Sequence, residues 1–170
     1  MTEKNRSGVT IRQLRMWEIP QLLLFRKEND YKAAFENEGI KYESLITSLL
    51  KTVWYGNKMI TLVAIKDRVI IGYISLFFGK QKIFKGNVHL ANAAVKISER
   101  NKGIGTLLFN AVEDYARSRG AHRIEFDVFS GNTGAIRLYK RLGYETEGVK
   151  RRAVKNSQGF HDLIFMAKFI

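Results

Sequence analysis

The stretch Arg100-Asn101-Lys102-Gly103-Ile104-Gly105 decides how this sequence of 170 residues is interpreted. It has the form R-x-x-G-x-G and lies between a predicted strand, Val88 to Val95, and the start of a predicted helix. Glycines let the backbone turn with its N–H groups converging, and the first turn of a helix offers unpaired donors and a positive dipole end. The loop is therefore predicted to bind an anion of the phosphate type.

Two other phosphate-binding loops do not match this spacing. No G-x-x-x-x-G-K-[ST] sequence occurs, and G-x-G-x-x-G is not completed because Gly105 is followed by Thr106, Leu107 and Leu108. Nucleotide hydrolysis and hydride transfer are therefore not favoured. For an isolated R-x-x-G-x-G, a glycine turn that merely starts a helix remains the alternative.

The residues around the loop predict a strand, a helix and a second strand. Apolar residues recur at i, i+3 and i+4 from Ile104 to Ala116, which predicts an amphipathic helix ending at Gly120. Apolar and charged residues then alternate from Ile124 to Val128 as in a half-buried strand. The order across residues 88 to 128 predicts a right-handed crossover and a parallel pair in an otherwise antiparallel sheet.

The rest of the chain predicts hairpins and further helices. One hairpin joins Ile60–Ile65 to Val69–Phe78 through Lys66 to Arg68, and a second joins Tyr144–Lys155 to Phe160–Phe169 through residues 156 to 159. The remaining predicted elements are an edge strand Val9–Leu14 and helices Trp17–Arg26, Tyr42–Trp54 and Thr133–Leu142, the last stopped by Gly143.

Composition limits the possible chemistry. Hydrophobic residues make up 45% of the chain and no linker interrupts it, so residues 1–170 are expected to form a single domain. No cysteine is present, which excludes disulfides, thiolate metal sites and a cysteine acyl-enzyme. The three histidines are far apart, so no metal site is expected. With no long apolar run and no apolar leader, a cytoplasmic protein without a membrane partner is expected.

The net charge of +13 predicts an anionic partner. Nucleic acid, an anionic surface and a polyphosphorylated cofactor all satisfy it, and the basic residues are spread along the chain. The run Lys150-Arg151-Arg152 suggests a basic nucleic-acid-binding domain as an alternative function. No nucleic-acid motif accompanies the run, so nucleic acid is not the expected partner.

Residues 88 to 166 resemble the GNAT superfamily of N-acetyltransferases. The matching residues, in order, are Val95, the loop Arg100 to Gly105, and then Asn132, Ala135, Leu138, Tyr139, Leu142, Gly143 and Tyr144. The resemblance implies an α/β (α+β) fold with a mixed, mostly antiparallel central sheet of six to seven strands flanked by helices. A splayed parallel strand pair would hold acetyl-CoA.

The resemblance also implies an activity. The expected reaction moves an acetyl group from acetyl-CoA to a primary amine of a small amine, an amino acid or a protein, by direct attack in a ternary complex. Acetyl-CoA is the expected cosubstrate and no metal is required. A non-catalytic acetyl-CoA-sensing module with the same fold is a second alternative, and a homodimer is left open.

Two catalytic roles follow from the resemblance. Tyr139 corresponds to the residue that donates a proton to the departing thiolate, with packing in the core as its alternative. His89 stands in the predicted strand where many members place a glutamate, and is the candidate general base. Its alternative is a polar residue at the sheet surface.

The cofactor roles also follow from the resemblance. A backbone N–H, that of Ala93, would stabilise the oxyanion, and the strand ending near Val95 would pair with the pantetheine. Asn132 would contact the pantetheine, with helix capping as its alternative. The proposed ligands of the pyrophosphate or the 3′-phosphate are Arg100, Lys102, Gly103, Ile104, Gly105 and Thr106. Further candidates are Arg137, Lys140 and Arg141 for the adenosine end, and Asp162, Glu28, Asp30, Glu36 and Glu38 for the acceptor.

Overall fold

The computed structural model describes residues 3–4, 8–34, 59–79, 86–156 and 159–170. The predicted helix Tyr42–Trp54 and the acceptor candidates Glu36 and Glu38 lie outside these residues. The strands are β1 (Glu3–Lys4), β2 (Thr10–Gln13), β3 (Met59–Lys66), β4 (Val69–Phe78), β5 (Asn87–Val95), β6 (Arg123–Phe129), β7 (Glu145–Asn156) and β8 (Gly159–Phe169). The helices are α1 (Ile19–Ala34), α2 (Ile104–Ser118) and α3 (Thr133–Arg141), with short 3-10 turns at Met16–Glu18 and Ile97–Glu99.

The chain divides into two compact units, and the first consists of Met1–Phe77 and Ala91–Val112. Within it, β1, β2, β3, β4 and the end of β5 are hydrogen-bonded in that order, and the first four strands pair antiparallel. Its core consists of Leu22 and Phe25 from α1, Val63 from β3, and Ile70 and Tyr73 from β4. Burial of these side chains gives α1 its place against the strands.

The β3–β4 connection confirms the first predicted hairpin. Lys66 pairs with Val69, which leaves Asp67 and Arg68 as a two-residue turn. Both turn residues have positive φ, 50° and 65°. Positive φ at both central positions is what a type I′ turn requires, and this turn matches the natural twist of a hairpin.

The second unit consists of Phe78–Leu90 and Glu113–Ile170. Its strands are ordered β5, β6, β8, β7. β6 pairs antiparallel with β8, and β8 pairs antiparallel with β7, so the strands of the second predicted hairpin are confirmed. β5 and β6 pair parallel through Asn87–Arg123, Val88–Ile124 and His89–Glu125, which confirms the predicted parallel pair.

The expected fold class is confirmed: a mixed, mostly antiparallel sheet with one parallel pair and flanking helices. Eight strands are found among the described residues because the two-residue β1 extends the edge beyond β2. Gly143 follows α3 with a φ of 86°, as expected for the residue that stops a helix. None of the helices in the described ranges is long and apolar enough to span a bilayer. The single-domain assignment stays a prediction.

Candidate functional site

The loop Arg100 to Gly105 turns sharply between β5 and α2. Arg100 is extended, whereas Asn101 and Gly103 have positive φ values of 61° and 81°. A Cβ at Gly103 would meet no heavy atom within 4 Å, so it is the backbone conformation that favours glycine there. The turn delivers the chain into the first residue of α2, Ile104, whose side chain is buried.

The start of α2 presents unused backbone donors. The helix opens with a hydrogen bond from the N–H of Leu107 to the carbonyl of Gly103, at 3.1 Å. No hydrogen bond of good geometry joins the N–H groups of residues 103 to 106 to any group of the described residues. A helix whose first donors have no side-chain cap is suited to an anion, which satisfies the donors and interacts with the dipole. The loop therefore fits the diphosphate that the sequence predicts.

The two predicted cationic ligands of this loop already have partners. The Nε of Arg100 donates to the carbonyl oxygen of Val95 at 3.1 Å. The Nζ of Lys102 lies 3.3 Å from a carboxylate oxygen of Glu99, which Lys66 also approaches at 3.7 Å. The Lys102 side chain is 55% exposed, so its pair with Glu99 is weak and can exchange for a phosphate contact.

The backbone of β5 contains an irregularity just before the loop. The carbonyl of Asn87 accepts from the N–H of Gly79 at 3.0 Å, and the N–H of Lys96 donates to the carbonyl of Ile71 at 2.8 Å. The hydrogen-bonding backbone groups of Asn87 and Lys96 thus both point toward β4. The two residues are nine positions apart, and an odd separation in a regular strand would place these groups on opposite edges. A regular strand alternates its hydrogen-bonding direction, so β5 must contain a bulge-like step between them.

After this step, the backbone groups of alternate residues point to opposite edges of β5. Those of Lys96 face β4, so those of its neighbour Val95 face the other edge. Ala93 is exposed and Val95 is half-buried. Outward-facing backbone groups at Val95 suit the predicted pairing with an extended amide chain such as pantetheine.

The structural role of Gly72 in β4 was not predicted from the sequence. A Cβ at Gly72 would lie 3.1 Å from the carbonyl oxygen of Ala94 and 3.2 Å from the Cδ1 of Leu108. The glycine therefore permits β4 to approach both β5 and α2 closely. Its signal in the sequence is a lone glycine inside a run of β-branched and aromatic residues, which often marks a close backbone approach.

His89 lies where the parallel ladder stops. The three β5–β6 residue pairs end at His89–Glu125, although β5 continues to Val95 and β6 to Phe129. His89 is exposed between the buried Val88 and Leu90. Its side chain is thus accessible to water. A general base acting on an amine needs this access, and an ordinary polar residue at the sheet surface has it as well.

Tyr139 lies in an aromatic cluster of the second unit. Its ring centroid is 4.6 Å from that of Phe126 on β6 and 6.5 Å from that of Tyr144, both in edge-type geometry. Burial raises the pKa of Tyr139 to about 12. The phenol is therefore protonated at neutral pH, as a proton donor must be. The cluster is compatible with both predicted roles of Tyr139, because the ring packs against aromatic neighbours and the hydroxyl is protonated.

Asn132 caps α3. Its Oδ1 accepts a hydrogen bond of 3.3 Å from the N–H of Ala135, while its side chain remains exposed. The capping alternative is therefore seen directly, and the amide nitrogen is the part of the side chain left for a ligand.

Asp162 has a structural partner. Its Oδ1 accepts from the backbone N–H of Arg152 at 2.7 Å. Asp162 is also joined to the residue after β6, because its own N–H donates to the Oγ of Ser130 at 3.2 Å and its carbonyl accepts from the N–H of Ser130 at 3.0 Å. Holding the backbone is thus its visible role, rather than the anchoring of an ammonium group.

The predicted site residues fall into two groups, one in each unit. The first unit brings the end of β5 and the loop together, with Ala93, Val95, Arg100, Lys102, Gly103, Ile104, Gly105 and Thr106. The second unit holds His89, Asn132 and Tyr139.

Known proteins resemble this chain in sequence. The model of the Acetyltransferase (GNAT) family matches residues 21–144. An L-methionine sulfoximine/L-methionine sulfone acetyltransferase from Pseudomonas aeruginosa is 31% identical over 99 residues, which cover 57% of this chain and 56% of that protein. A ribosomal protein bS18-alanine N-acetyltransferase from Salmonella typhimurium is 32% identical over 78 residues, which cover 46% of this chain and 53% of that protein. The chain thus spans about half the length of the curated relatives it matches.

A solved structure extends the likeness to nearly the whole fold. That of yncA from Salmonella typhimurium, solved with its cofactor acetyl-CoA, superimposes with a TM-score of 0.77 over 95% of this chain and 93% of that one, at 22% identity. The family match runs through β5, the glycine loop, α2 and α3, where the unused donors and Tyr139 lie. Because that match covers most of the chain, this protein belongs to the GNAT family of acetyltransferases.

Proposed function

We propose that this protein transfers the acetyl group of acetyl-CoA to a primary amine. The observation that carries the proposal is the start of α2, where the N–H groups of residues 103 to 106 have no partner among the described residues. A diphosphate satisfies such donors and is favoured by the helix dipole. Family membership supports acetyl-CoA as the molecule that brings the diphosphate.

The loop and the end of β5 would bind this cosubstrate in two ways. The backbone N–H groups of Gly103 to Thr106 donate to the diphosphate, and Arg100 and Lys102 add positive charge. The outward-facing backbone of Val95 pairs with the pantetheine amides as a further strand would. These contacts bind and orient the thioester, which supplies an activated acetyl group.

The reaction joins the amine nitrogen to the thioester carbon and breaks the carbon–sulfur bond. The Ala93 N–H donates to the carbonyl oxygen as negative charge builds on it. The Tyr139 hydroxyl gives its proton to the leaving thiolate and is then reprotonated from water. Because the attack is direct, no acyl-enzyme is needed, in keeping with a chain that lacks cysteine.

His89 would accept the proton that the amine loses. Its exposed position in β5 gives it access to water, so the transfer can pass through a solvent molecule. Asn132 would use its free amide nitrogen to hold the pantetheine while its oxygen caps α3.

The acceptor is proposed to be the amino group of an amino acid or a peptide. The named relatives act on a methionine derivative and on an alanine of a ribosomal protein. These acceptor classes are therefore the first to test.

A thiol-release assay tests the proposal. Acetyl-CoA is mixed with amino acids, peptides, polyamines or aminoglycosides, and free coenzyme A is measured with and without each amine. We expect amine-dependent release for at least one acceptor, with the acetylated product identified by mass spectrometry. Saturable acetyl-CoA binding without release for any amine would instead favour the sensing module.

A further inference from the structure

Five exposed residues form a basic surface on the β7–β8 hairpin. This basic hairpin surface consists of Lys150, Arg151, Arg152 and Lys155 on β7, and Phe160 on β8, whose side chain is 51% exposed. None of its four cations forms an ion pair with any residue that the structure describes.

Two other cations of the same unit are neutralised by carboxylates. Arg123 pairs with Glu125 and Glu147, and Lys168 pairs with Glu113. Unlike Arg123 and Lys168, the hairpin cations retain full charge toward solvent, a property they share with the exposed basic residues of α3. Four exposed cations within residues 150 to 155 attract an anionic partner.

A bulge fixes the conformation of this surface. Lys150 pairs with Leu163 and Val154 pairs with His161, so β7 advances by four residues while β8 advances by two. Within the bulge, Arg152 has a φ of 49°, which is unfavourable for a residue with a side chain. The bond from the Arg152 N–H to Asp162 holds that conformation. Strained backbone held in place by a specific partner is typical of functional sites.

The bulge is tied to the segment that leads to Tyr139. Asp162 exchanges two hydrogen bonds with Ser130, which follows β6. Asn132 comes two residues later and caps α3, the helix that carries Tyr139. The basic hairpin surface is thus linked, through Asp162 and Ser130, to the segment that leads into the helix of Tyr139.

The aromatic ring favours carboxylates over nucleic-acid bases. The guanidinium carbon of Arg152 lies 4.2 Å from the centroid of the Phe160 ring, and the Nζ of Lys155 lies 5.5 Å from it. A guanidinium stacked this closely occupies a ring face that a base would need. A stacked guanidinium keeps its N–H edge free for bidentate bonding to a carboxylate.

We propose that the basic hairpin surface binds acidic side chains of the acceptor, so that preferred acceptors are peptides with Asp or Glu in the positions after the reactive amine. This inference rests on the proposed function, because it assigns a substrate class to the same site. It predicts that acceptor affinity falls with ionic strength, since exposed charge pairs are screened by salt.

Binding of labelled peptides tests this without requiring turnover. Fluorescence anisotropy is measured with coenzyme A present, using three peptides that share an amino-terminal alanine and continue with glutamates, glutamines or lysines. We expect the glutamate peptide to bind about 10-fold more tightly than the glutamine peptide at low salt, as several weak charge pairs together provide. The lysine peptide should bind most weakly.

Two double variants identify the surface. Arg151→Gln/Lys155→Gln keeps Arg152 in its bulge and should weaken binding of the glutamate peptide about 3- to 10-fold. Arg68→Asn/Arg119→Gln removes the same charge from exposed residues elsewhere and should change the dissociation constant less than about 2-fold. Reversal in Arg151→Glu/Lys155→Glu should turn the preference toward the lysine peptide.

Three results would overturn the inference. They are equal affinity for the glutamate and glutamine peptides, equal weakening by the two neutralised variants, or tighter binding of a single-stranded oligonucleotide than of the glutamate peptide. The last would mark the surface as a nucleic-acid site. Failure of the proposed function is recognised separately, because it would appear as absent coenzyme A binding or absent thiol release.

Discussion

The Nε–H of Arg100 donates a hydrogen bond of 3.1 Å to the carbonyl oxygen of Val95, which fastens the first residue of the glycine loop to the last residue of β5. The bond joins two parts of the proposed cosubstrate site in the first unit: the strand edge for the pantetheine and the turn for the diphosphate. One arginine thus sets the spacing between them as well as adding charge.

Replacing Gly105 with valine should weaken acetyl-CoA binding. Gly105 is the second residue of α2 and is not among the residues with positive φ, so the backbone can accept a side chain. In a helix, each Cβ tilts toward the amino terminus of the helix, and in α2 this is the end proposed to bind the diphosphate. We expect the dissociation constant from calorimetry to rise by about 10- to 100-fold. Gly148→Val is the control, because a Cβ at Gly148 meets no heavy atom within 4 Å; equal affinity of the two variants would remove the diphosphate from this turn.

Tyr139→Phe should lower kcat with little effect on acetyl-CoA affinity. The substitution keeps the ring contact with Phe126 and removes only the hydroxyl. Loss of a general acid reduces the rate by about 10²- to 10⁴-fold. Steady-state kinetics should therefore show a large fall in kcat at nearly constant Kd for acetyl-CoA.

Tyr115→Phe provides the matched control for that variant. The Tyr115 hydroxyl is buried and makes no hydrogen bond with the described residues, so its removal should leave kcat unchanged. Wild-type turnover by Tyr139→Phe would assign Tyr139 to packing alone.

Tyr139 should also make the fold sensitive to alkali. Burial raises its pKa to about 12, above the ordinary value of 10.0 that applies when the chain is unfolded. The contribution of Tyr139 to the free energy of unfolding is fully present below pH 10 and is lost as pH rises through 12, because the unfolded state releases the proton first. Between pH 10 and 12, the free energy of unfolding measured in urea should fall by roughly 2 kcal/mol more for wild type than for Tyr139→Phe. Parallel losses in the two proteins would contradict the burial of this phenol.

Lys168→Met should destabilise the second unit. Both oxygens of Glu113 lie 2.8 Å from the Nζ of Lys168, and the Glu113 side chain is only 8% exposed. Removal of the lysine leaves a buried carboxylate whose remaining ion-pair partner among the described residues is Arg117, at 3.3 Å. We expect a loss of about 3 kcal/mol in the free energy of unfolding. The double variant Glu113→Gln/Lys168→Met should recover much of it, and an equal loss in both would show that the charge is not the cause.

The sequence predicts the elements whose signals are local. The β-branched and aromatic runs on either side of Asp67 and Arg68 predict the hairpin, and the apolar period of α2 predicts the helix and hence the parallel crossover. The turn before α2 is also predicted, because its glycines and its place before a helix are contiguous in the chain. These features need no knowledge of distant contacts.

Features that depend on tertiary pairing were not predicted. The step in β5 is visible only from which backbone groups face β4, and the β7 bulge depends on Asp162 reaching the N–H of Arg152. The same holds for Lys102, whose pair with Glu99 competes with its predicted phosphate contact. Sequence spacing alone does not tell which of two competing partners a side chain binds.

The most direct test of the account compares two thioesters by calorimetry. Acetyl-CoA carries the diphosphate, whereas S-acetylpantetheine presents the same reactive arm without it. We predict saturable one-site binding of acetyl-CoA and a dissociation constant about 100-fold higher for S-acetylpantetheine, since several charge-assisted hydrogen bonds are lost. Equal affinity for both compounds, or no heat with acetyl-CoA and folded protein, would contradict an anion-binding role for the turn before α2.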